Sequence, residues 1–279
     1  MAREFTPVQR MERQLLTEQR PRIWRPFMRA VREYKLLSPG DRIAVCISGG
    51  KDSMLLAVLM RMLGRQAGTP FEPVFLIMDP GYRTEVRRQV EENARQLEIP
   101  YTLFESDVFE VAEAQGERSC FLCARMRRGC LYGKARELGC NKIALGHHYD
   151  DVIETTLMAM LHGGQIQAML PRLRAKNFPG MELIRPMYGI READIAAWGN
   201  ANGLRFISCA CRLAEAGSGE ASSRRESVKQ LIARLHTEDP KVEQNIFNSI
   251  RRVQLDTLPG WKYRGEQHTF LEGFDDSRG

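Results

Sequence analysis

The chain has 279 residues, of which 43% are hydrophobic, and its formal net charge is +6. This length suffices for one large α/β domain with appendages or for two small domains. No stretch approaches the ~20 consecutive apolar residues of a membrane span, and the charged amino terminus lacks the apolar core of a signal peptide. We therefore expect a cytoplasmic protein with no membrane partner, whose basic charge allows nucleic acid as a partner.

In chain order, helical patterning first covers residues 11–38, with breaks at Pro21 and Pro26. A strand is predicted at Arg42–Ile47, followed by a helix at residues 54–63 whose N-cap is Asp52 or Ser53. Further strands are predicted at 73–78, 101–104 and 142–146, and further helices at 84–97, 123–138, 150–161 and 224–253. This alternation predicts a doubly wound parallel α/β sheet with its ligand at the carboxyl ends of the strands.

The same patterning divides the chain into three parts. Residues 1–40 form an N-terminal helical segment, and residues 41–212 form the ligand-binding α/β domain. Residues 213–279 are predicted to be a mobile loop followed by a C-terminal helical extension. The loop is the low-complexity stretch Glu215–Ser223, and the last ~20 residues are predicted to be irregular.

The segment Ser48-Gly49-Gly50-Lys51-Asp52-Ser53 joins the first strand to its helix. A strand that turns through glycines into a helix N-terminus presents bare backbone N–H groups, which favour phosphate. An ordinary tight turn is the alternative, because the spacing matches neither G-x-x-x-x-G-K-[ST] nor G-x-G-x-x-G. The full pattern S-G-G-x-D-S, however, resembles the signature of the PP-loop ATP pyrophosphatases, which cleave ATP between its α- and β-phosphates.

This resemblance implies a HUP-like fold of the adenine-nucleotide α-hydrolase type. It also implies that the two serines and the two glycines of the loop hold pyrophosphate. By the same resemblance Lys51 supplies charge, and Asp52 orients the loop or a Mg²⁺ ion.

Seven cysteines in a cytosolic chain favour metal or reactive sites over disulfides. Cys120-x-x-Cys123 opens a helix, where residues three apart share a face, and Cys209-x-Cys211 follows much later. Three thiolates suit a [4Fe-4S] cluster with one open iron. A redox dithiol and unremarkable buried thiols remain as alternatives. The isolated Cys46, Cys130 and Cys140 are predicted to pack in the core.

The segment Gly146-His147-His148-Tyr149-Asp150-Asp151 comes directly after a predicted strand. One interpretation is structural, with Asp150 or Asp151 capping the following helix and the histidines filling the strand end. The other is a site for a metal or nucleotide. The two interpretations stay open at this point.

Together, the loop, CFLCARMRRGCLYGKA, ALGHHYDDVIETTLMAMLHGG and the late cysteines closely resemble the tRNA 2-thiocytidine synthetases, from about Arg42 to Cys211. These enzymes adenylate C2 of a cytidine in the tRNA anticodon loop, at position 32, and replace AMP by sulfur delivered through a [4Fe-4S] cluster. The resemblance implies ATP, Mg²⁺ and the cluster as cofactors. It implies cluster ligands Cys120 and Cys123 and a third ligand in the late pair, Cys209 or Cys211.

The late motif departs from the family pattern. The family has P-C-x-x-C where this chain has Ser208-Cys209-Ala210-Cys211, so which of the two cysteines is the third ligand stays open, with a preference for Cys209. The same departure keeps an alternative function: a PP-loop enzyme that moves sulfur onto or off another tRNA nucleoside or a small molecule. A non-catalytic nucleotide-binding or redox-sensing module is a further alternative.

The resemblance also assigns the remaining sites and partners. Lys51, Asp52 and Asp151 are the candidate catalytic residues, and Gly146 and His147 join the loop in binding ATP. As partners we expect tRNA, a sulfur donor such as a cysteine desulfurase and, as one option, a second copy of the chain in a homodimer. Basic side chains suited to RNA phosphates lie near the cysteine motif and in a later Pro-flanked loop; they are Arg125, Arg127, Arg128, Arg172 and Arg174.

Overall fold

The computed structural model describes residues 5–66, 68, 70–113, 119–207 and 220–274. Its centre is a six-stranded sheet with strand order β3-β2-β1-β4-β6-β5. The strands are β1 (Arg42–Ile47), β2 (Glu72–Asp79), β3 (Tyr101–Glu105), β4 (Lys142–Ala144), β5 (Arg172–Arg174) and β6 (Glu182–Ile184). The pairings of β1 through β4 and of β4 with β6 are parallel, and only the edge strand β5 is antiparallel.

The described residues contain ten α-helices. They are α1 (Pro7–Leu16), α2 (Arg25–Glu33), α3 (Lys51–Gly64), α4 (Thr84–Gln96), α5 (Val108–Glu113), α6 (Ser119–Glu137), α7 (Tyr149–Gly163), α8 (Glu192–Ala201), α9 (Glu220–Glu238) and α10 (Val242–Ser249). A single π-helical turn, Arg20–Trp24, joins α1 to α2. It contains Pro21, one of the two prolines at which a break was predicted. No helix in the described part of the chain is long and apolar enough to cross a membrane.

Two hydrophobic clusters fill the two faces of the sheet. On one face α3 is buried along most of its length and packs with Phe27, Leu36 and Trp198. On the other face α6 covers β1 and β4 through Tyr132 and Ala135, and Cys46 and Cys140 are buried there as predicted. Burial on both faces explains why β1 reads as a nearly continuous apolar run. The predicted doubly wound sheet is confirmed.

A third cluster attaches the C-terminal helices to the domain. Val228 and Ile232 of α9 and Phe247 of α10 are buried against Tyr149 and Val152 of α7. The C-terminal extension therefore packs directly on the helix that follows β4, and it brings side chains of α9 beside that helix.

Several sequence predictions need correction. Helix α3 begins at Lys51 with Gly50 as its N-cap, so neither Asp52 nor Ser53 holds that position. Residues 172–174, predicted to be loop, form β5. The last stretch is not irregular, because β7 (Gly260–Tyr263) and β8 (Glu266–Thr269) form a hairpin. Residues 215–219 of the predicted mobile loop lie outside the described residues, and residues 220–223 belong to helix α9.

Candidate active site

The loop between β1 and α3 is tied together by the hydroxyl of Ser53. This oxygen accepts from the backbone N–H of Ser48 at 3.1 Å and from the hydroxyl of Ser48 at 3.2 Å, and it donates to the Gly50 carbonyl at 2.9 Å. Gly49 has a φ of 85°, a conformation that favours glycine. The loop is thereby held so that the first N–H groups of α3, which have no partner within the helix, face outward.

Gly146 allows the end of β4 to lie against this loop. A Cβ atom at this position would lie 3.0 Å from the carbonyl carbon of Asp52 and 3.1 Å from the backbone nitrogen of Ser53. Both neighbours are backbone atoms at the start of α3, so they could not move aside without shifting the helix. The strand end and the loop therefore share one wall of the site, at the junction of β1 and β4 where the strand order reverses.

Three carboxylates surround the buried imidazole of His148. Its Nε2 lies 3.7 Å from Oδ1 of Asp52 and 3.5 Å from Oδ2 of Asp151, and its Nδ1 lies 3.5 Å from Oδ2 of Asp150. Burial opposes a charge on His148, but the neighbouring carboxylates of Asp150, Asp151 and Asp52 raise its pKa overall. Burial also raises the pKa of Asp52, against the effect of His148 and Lys51.

The two aspartates that follow His148 have structural contacts. His148 is the N-cap residue of α7, and its backbone N–H donates to Oδ2 of Asp151 at 3.0 Å. Oδ2 of Asp150 accepts from the backbone N–H of Glu192 at 2.6 Å, which fixes the start of α8. The predicted N-cap at Asp150 or Asp151 is therefore wrong, because both residues lie inside the first turn of α7. Asp151 only accepts a bond from the backbone of the N-cap residue His148, and it also lines the cavity of the site.

His147 lies against the side chain of Arg185. Nε of Arg185 donates to Nδ1 of His147 at 3.2 Å. Burial, with the charge of Arg185, lowers the pKa of His147 to about 4. Because Nδ1 accepts this bond, the neutral ring carries its proton on Nε2.

The loop, His147 and Asp151 border a cavity of about 430 Å³, within the ~300–1,000 Å³ range of small-molecule sites. One wall is the loop and the end of β4, with Ser48, Asp52, Ser53, Gly146, His147 and Asp151. A second wall is α6, with Ala124, Arg127, Arg128, Leu131 and Tyr132. Arg225 of α9 also lines the cavity. A cavity with hydroxyls, a neutral imidazole and three guanidinium groups suits a phosphate-bearing ligand.

Lys51 is directed toward α8. Its Nζ lies 2.9 Å from Oε1 of Glu192 and 3.3 Å from Oδ1 of Asp52, while Oε2 of Glu192 lies 2.7 Å from Nζ of Lys229. Burial opposes the charge of Lys51, yet Glu192 and Asp52 raise its pKa, so the side chain is a cation. Glu192 thus links the loop to α9.

A Mg²⁺ ion would fit beside Asp52. Its Oδ1 is buried and accepts no hydrogen bond, although Nζ of Lys51 lies 3.3 Å away. Asp151, like Asp52, lies beside the imidazole of His148. Among the described residues, no three side chains are arranged to hold a metal ion by themselves. Since Mg²⁺ is commonly held by one or two carboxylates together with substrate phosphates and water, this arrangement suits an ion that arrives with a nucleotide.

The cysteine motif begins α6, the helix that forms the second cavity wall. Cys120 lies in its first turn and Cys123 one turn later, next to the cavity residue Ala124. Cys209 and Cys211 lie outside the described residues. Cys46 is buried, and burial raises the pKa of its thiol to about 12.

The five predicted RNA-binding arginines fall into two groups. Arg127 and Arg128 line the cavity, and Arg125 is exposed on the same helix. Arg172 and Arg174 lie on β5 at the edge of the sheet. There Arg172 donates two hydrogen bonds of 2.9 Å to the carboxylate of Glu182 and contacts the carbonyl of Lys35. The structure does not bring this second group to the cavity.

The sequence did not indicate Arg185, Glu192 and Lys229 as residues of the site, and it indicated Arg225 only as one of several basic residues suited to RNA phosphates. Each meets the loop or the cavity through a partner distant in sequence, as Arg185 meets His147 and Glu192 meets Lys51. No local motif marks them. Only the spacing of Arg225 and Lys229, four residues apart on one helix face, was visible in the sequence.

The PP-loop domain family matches residues 20–211 of the chain. The tRNA-cytidine(32) 2-sulfurtransferase of Anaeromyxobacter dehalogenans (strain 2CP-C) is 37% identical over 249 residues, covering 88% of this chain and 81% of the relative. The tRNA-cytidine(32) 2-sulfurtransferase of Syntrophotalea carbinolica is 36% identical over 232 residues, covering 81% of this chain and 86% of the relative.

Among solved structures, the U34-tRNA thiolase NcsA from Methanococcus maripaludis with its [4Fe-4S] cluster is similar in fold. Its TM-score is 0.64 at 21% sequence identity, and the match covers 85% of this chain and 80% of that chain.

Proposed function

Since the chain belongs to the PP-loop domain family and to the tRNA-cytidine(32) 2-sulfurtransferases, we propose that it converts a cytidine at position 32 of tRNA to 2-thiocytidine. The C2 oxygen of cytidine attacks the α-phosphate of ATP, and pyrophosphate leaves. Sulfur then adds to C2, and AMP leaves with the former C2 oxygen. The observation that carries this proposal is the cavity in which the loop, His147 and the cysteine-bearing helix meet.

In this proposal the loop binds the pyrophosphate that leaves. Ser48, Gly49, Gly50 and Ser53 offer N–H and hydroxyl groups, and Lys51 supplies a positive charge. Preorganised donors of this kind stabilise the charge that develops on the leaving group. The Nε2–H of His147 donates to a phosphate oxygen. Asp52 and Asp151 would hold a Mg²⁺ ion, which would supply positive charge to the phosphates.

The cysteine set suits a [4Fe-4S] cluster, because two cysteines three residues apart in the sequence of α6 and a third in the late pair match the three-cysteine donor set. Cys120, Cys123 and either Cys209 or Cys211 would hold it. When bound, the cluster supplies the sulfur for the acceptor carbon. The position of Cys123 next to cavity residue Ala124 supports this assignment.

We also propose how the partners approach. Arg125, Arg127 and Arg128 contact the anticodon loop near the cavity, and Arg172 and Arg174 bind phosphates further away. A cysteine desulfurase is a suitable sulfur donor, and a homodimer remains an option. Because the substrate is tRNA, we expect the reaction to occur in the cytoplasm.

The reaction type is tested by following α-labelled ATP with unmodified tRNA and a sulfide source under anaerobic conditions. The proposal predicts AMP and pyrophosphate in equal amounts, formed only when tRNA is present. Asp52→Asn is expected to abolish both products while leaving the fold intact. Formation of ADP and phosphate, or turnover that is independent of tRNA, would overturn the proposal.

The cluster is tested by iron and acid-labile sulfide assays on anaerobically purified protein. We expect about four irons per chain, lost in Cys123→Ala and in one of Cys209→Ala and Cys211→Ala. Cys140→Ala is the matched control, since its side chain is buried in the core and is not part of the cavity lining. Zinc in place of iron would contradict the cluster assignment.

A further inference from the structure

Helix α9 carries a basic residue into the cavity wall. Val228 and Ile232 anchor the helix on α7, and Arg225 projects from the preceding turn beside the cavity. Nothing in the loop or the cysteine motif predicts this residue. Its helix lies in the C-terminal extension, beyond the last residue of the PP-loop domain match.

The guanidinium of Arg225 is only loosely held. Nε lies 3.4 Å from Oε2 of Glu154, Nη2 lies 3.4 Å from the hydroxyl of Thr155, and Nη1 lies 3.7 Å from Oδ1 of Asp151. Each distance exceeds the 2.7–3.2 Å of an ordinary N–H···O hydrogen bond. The side chain is also 45% exposed. A guanidinium has five N–H donors, so this one retains capacity for a ligand.

A purely structural role for Arg225 would be to neutralise Glu154. That side chain is buried, and burial raises the pKa of its carboxyl group. However, Arg225 also lines the cavity that contains Ser48, Ser53 and His147. Neutralising Glu154 would not require that position.

We propose that Arg225 binds a phosphate group of ATP in this cavity, so that the C-terminal helix α9 forms part of the nucleotide site. The planar fork of a guanidinium matches phosphate oxygens, and a charge-assisted pair is stronger than the present long contacts. The inference rests on the proposed function, because it takes ATP as the ligand. RNA phosphate is the rival ligand. ATP is favoured because Arg225 lines the same cavity as Ser48 and Ser53 of the loop.

The test measures the dissociation constant for ATP by calorimetry on the full chain with Mg²⁺. Arg225→Gln is expected to weaken ATP binding by about 10- to 100-fold, the range for losing a charge-assisted hydrogen bond. Arg225→Lys keeps the charge but loses the planar fork of the guanidinium. Its affinity for ATP should therefore lie between that of the wild type and that of Arg225→Gln. Arg234→Gln, exposed further along the same helix, is the control and should bind ATP like the wild type.

The double variant Arg225→Gln/Glu154→Gln separates the two roles. If Arg225 binds phosphate, removing the Glu154 charge does not restore ATP affinity. Recovery of affinity in the double variant would show that Arg225 only neutralises Glu154 and would overturn the inference. So would unchanged ATP affinity in Arg225→Gln, or a loss confined to tRNA binding. Failure of the wild type to bind ATP would instead overturn the proposed function and this inference with it.

Discussion

The imidazole of His147 accepts a hydrogen bond from Arg185 at Nδ1, and this contact fixes which ring nitrogen carries the proton. Burial also lowers the pKa of Arg185, to about 10, so its guanidinium stays charged at neutral pH. A neutral His147 with a proton on Nε2 is a hydrogen-bond donor toward the cavity. It therefore suits an anionic ligand without adding a charge of its own.

We predict that His147 stays neutral between pH 5 and 8, because its pKa is lowered to about 4. Long-range ¹H–¹⁵N spectra of histidine-labelled protein should show a fixed Nε2–H tautomer for one of the five histidines. Arg185→Met should raise the pKa of His147 and mix the two tautomers. A titration of His147 near its unperturbed pKa of about 6.5 would contradict the assignment.

A second residue-scale prediction concerns the buried pair of Lys142 and Asp41. Nζ of Lys142 lies 2.6 Å from Oδ2 of Asp41, and both side chains are buried. Lys142→Met would leave the carboxylate unpaired, and we expect a loss of about 3–5 kcal/mol in the free energy of unfolding. Urea denaturation measures this change. Arg174→Met, at the sheet edge, should cost far less.

The same pair gives a pH dependence. Burial raises the pKa of Asp41, but hydrogen bonds from Lys142, Asn141 and the Ser38 backbone lower it overall. The folded state therefore binds this proton less tightly than the unfolded chain. The stability from Asp41 is present above its unfolded pKa of about 3.9 and is lost as the pH falls through the folded pKa. Asp41→Asn should flatten this acid limb, and an unchanged limb would contradict the explanation.

At the scale of elements, the end of β4 and the start of α3 touch through backbone atoms at Gly146. We predict that Gly146→Ala costs about 1–3 kcal/mol in stability and weakens ATP binding, since the added Cβ would lie 3.0 Å from the Asp52 backbone. Gly133→Ala is the matched control, because nothing lies within 4 Å of its Cβ in α6. Thermal unfolding and ATP titration compare the two variants. Equal stability and equal ATP affinity of Gly146→Ala and Gly133→Ala would contradict the close approach of Gly146 to the start of α3.

Helices α8 and α9 meet the loop through Glu192. Its carboxylate holds both Lys51 and Lys229. We predict that Glu192→Gln raises KM for ATP, because Lys51 of the loop is then no longer held in position. The rise should be only about 2- to 10-fold, because the contacts of Glu192 with the two lysines are partly exposed. KM for tRNA should not change. A parallel rise in both constants, or a loss of stability alone, would argue for a purely structural role.

Elements that follow from a local sequence pattern could be predicted, whereas elements that require contacts distant in sequence could not. Strand β1 and helix α3 follow from local apolar runs, and the parallel sheet was confirmed. Strands β5 (Arg-Leu-Arg) and β6 (Glu-Leu-Ile) have three residues each and include charged residues, so neither stands in an apolar run like the one that continues β4 to Leu145. The β7–β8 turn was missed because Arg264 takes a positive φ before Gly265, where Asn or Asp is the usual signal.

At the scale of the whole molecule, parts of the chain that lie far apart in sequence line one cavity. The loop follows β1, the arginines of α6 follow the cysteine motif, and Arg225 comes from the C-terminal extension. The first two carry motifs, so the sequence predicted them as sites, although the residue roles stay predictions. The third depends on the packing of Val228 and Ile232 against α7, which no local pattern encodes.

This convergence explains why a single chain can combine the two half-reactions. The α-phosphate of ATP, the acceptor base and the sulfur source must meet within one small volume. The loop and the cysteine-bearing helix both line a cavity of about 430 Å³. The account therefore depends on thiolation of a tRNA base at this cavity.

The most direct test is mass spectrometry of nucleosides from tRNA transcripts incubated with anaerobically reconstituted protein, ATP and a sulfide source. The account predicts 2-thiocytidine in a transcript with cytidine at position 32. It predicts none when that base is uridine, or when the enzyme carries Cys123→Ala. Thiolation of another nucleoside, or sulfur transfer only to a small molecule, would contradict it.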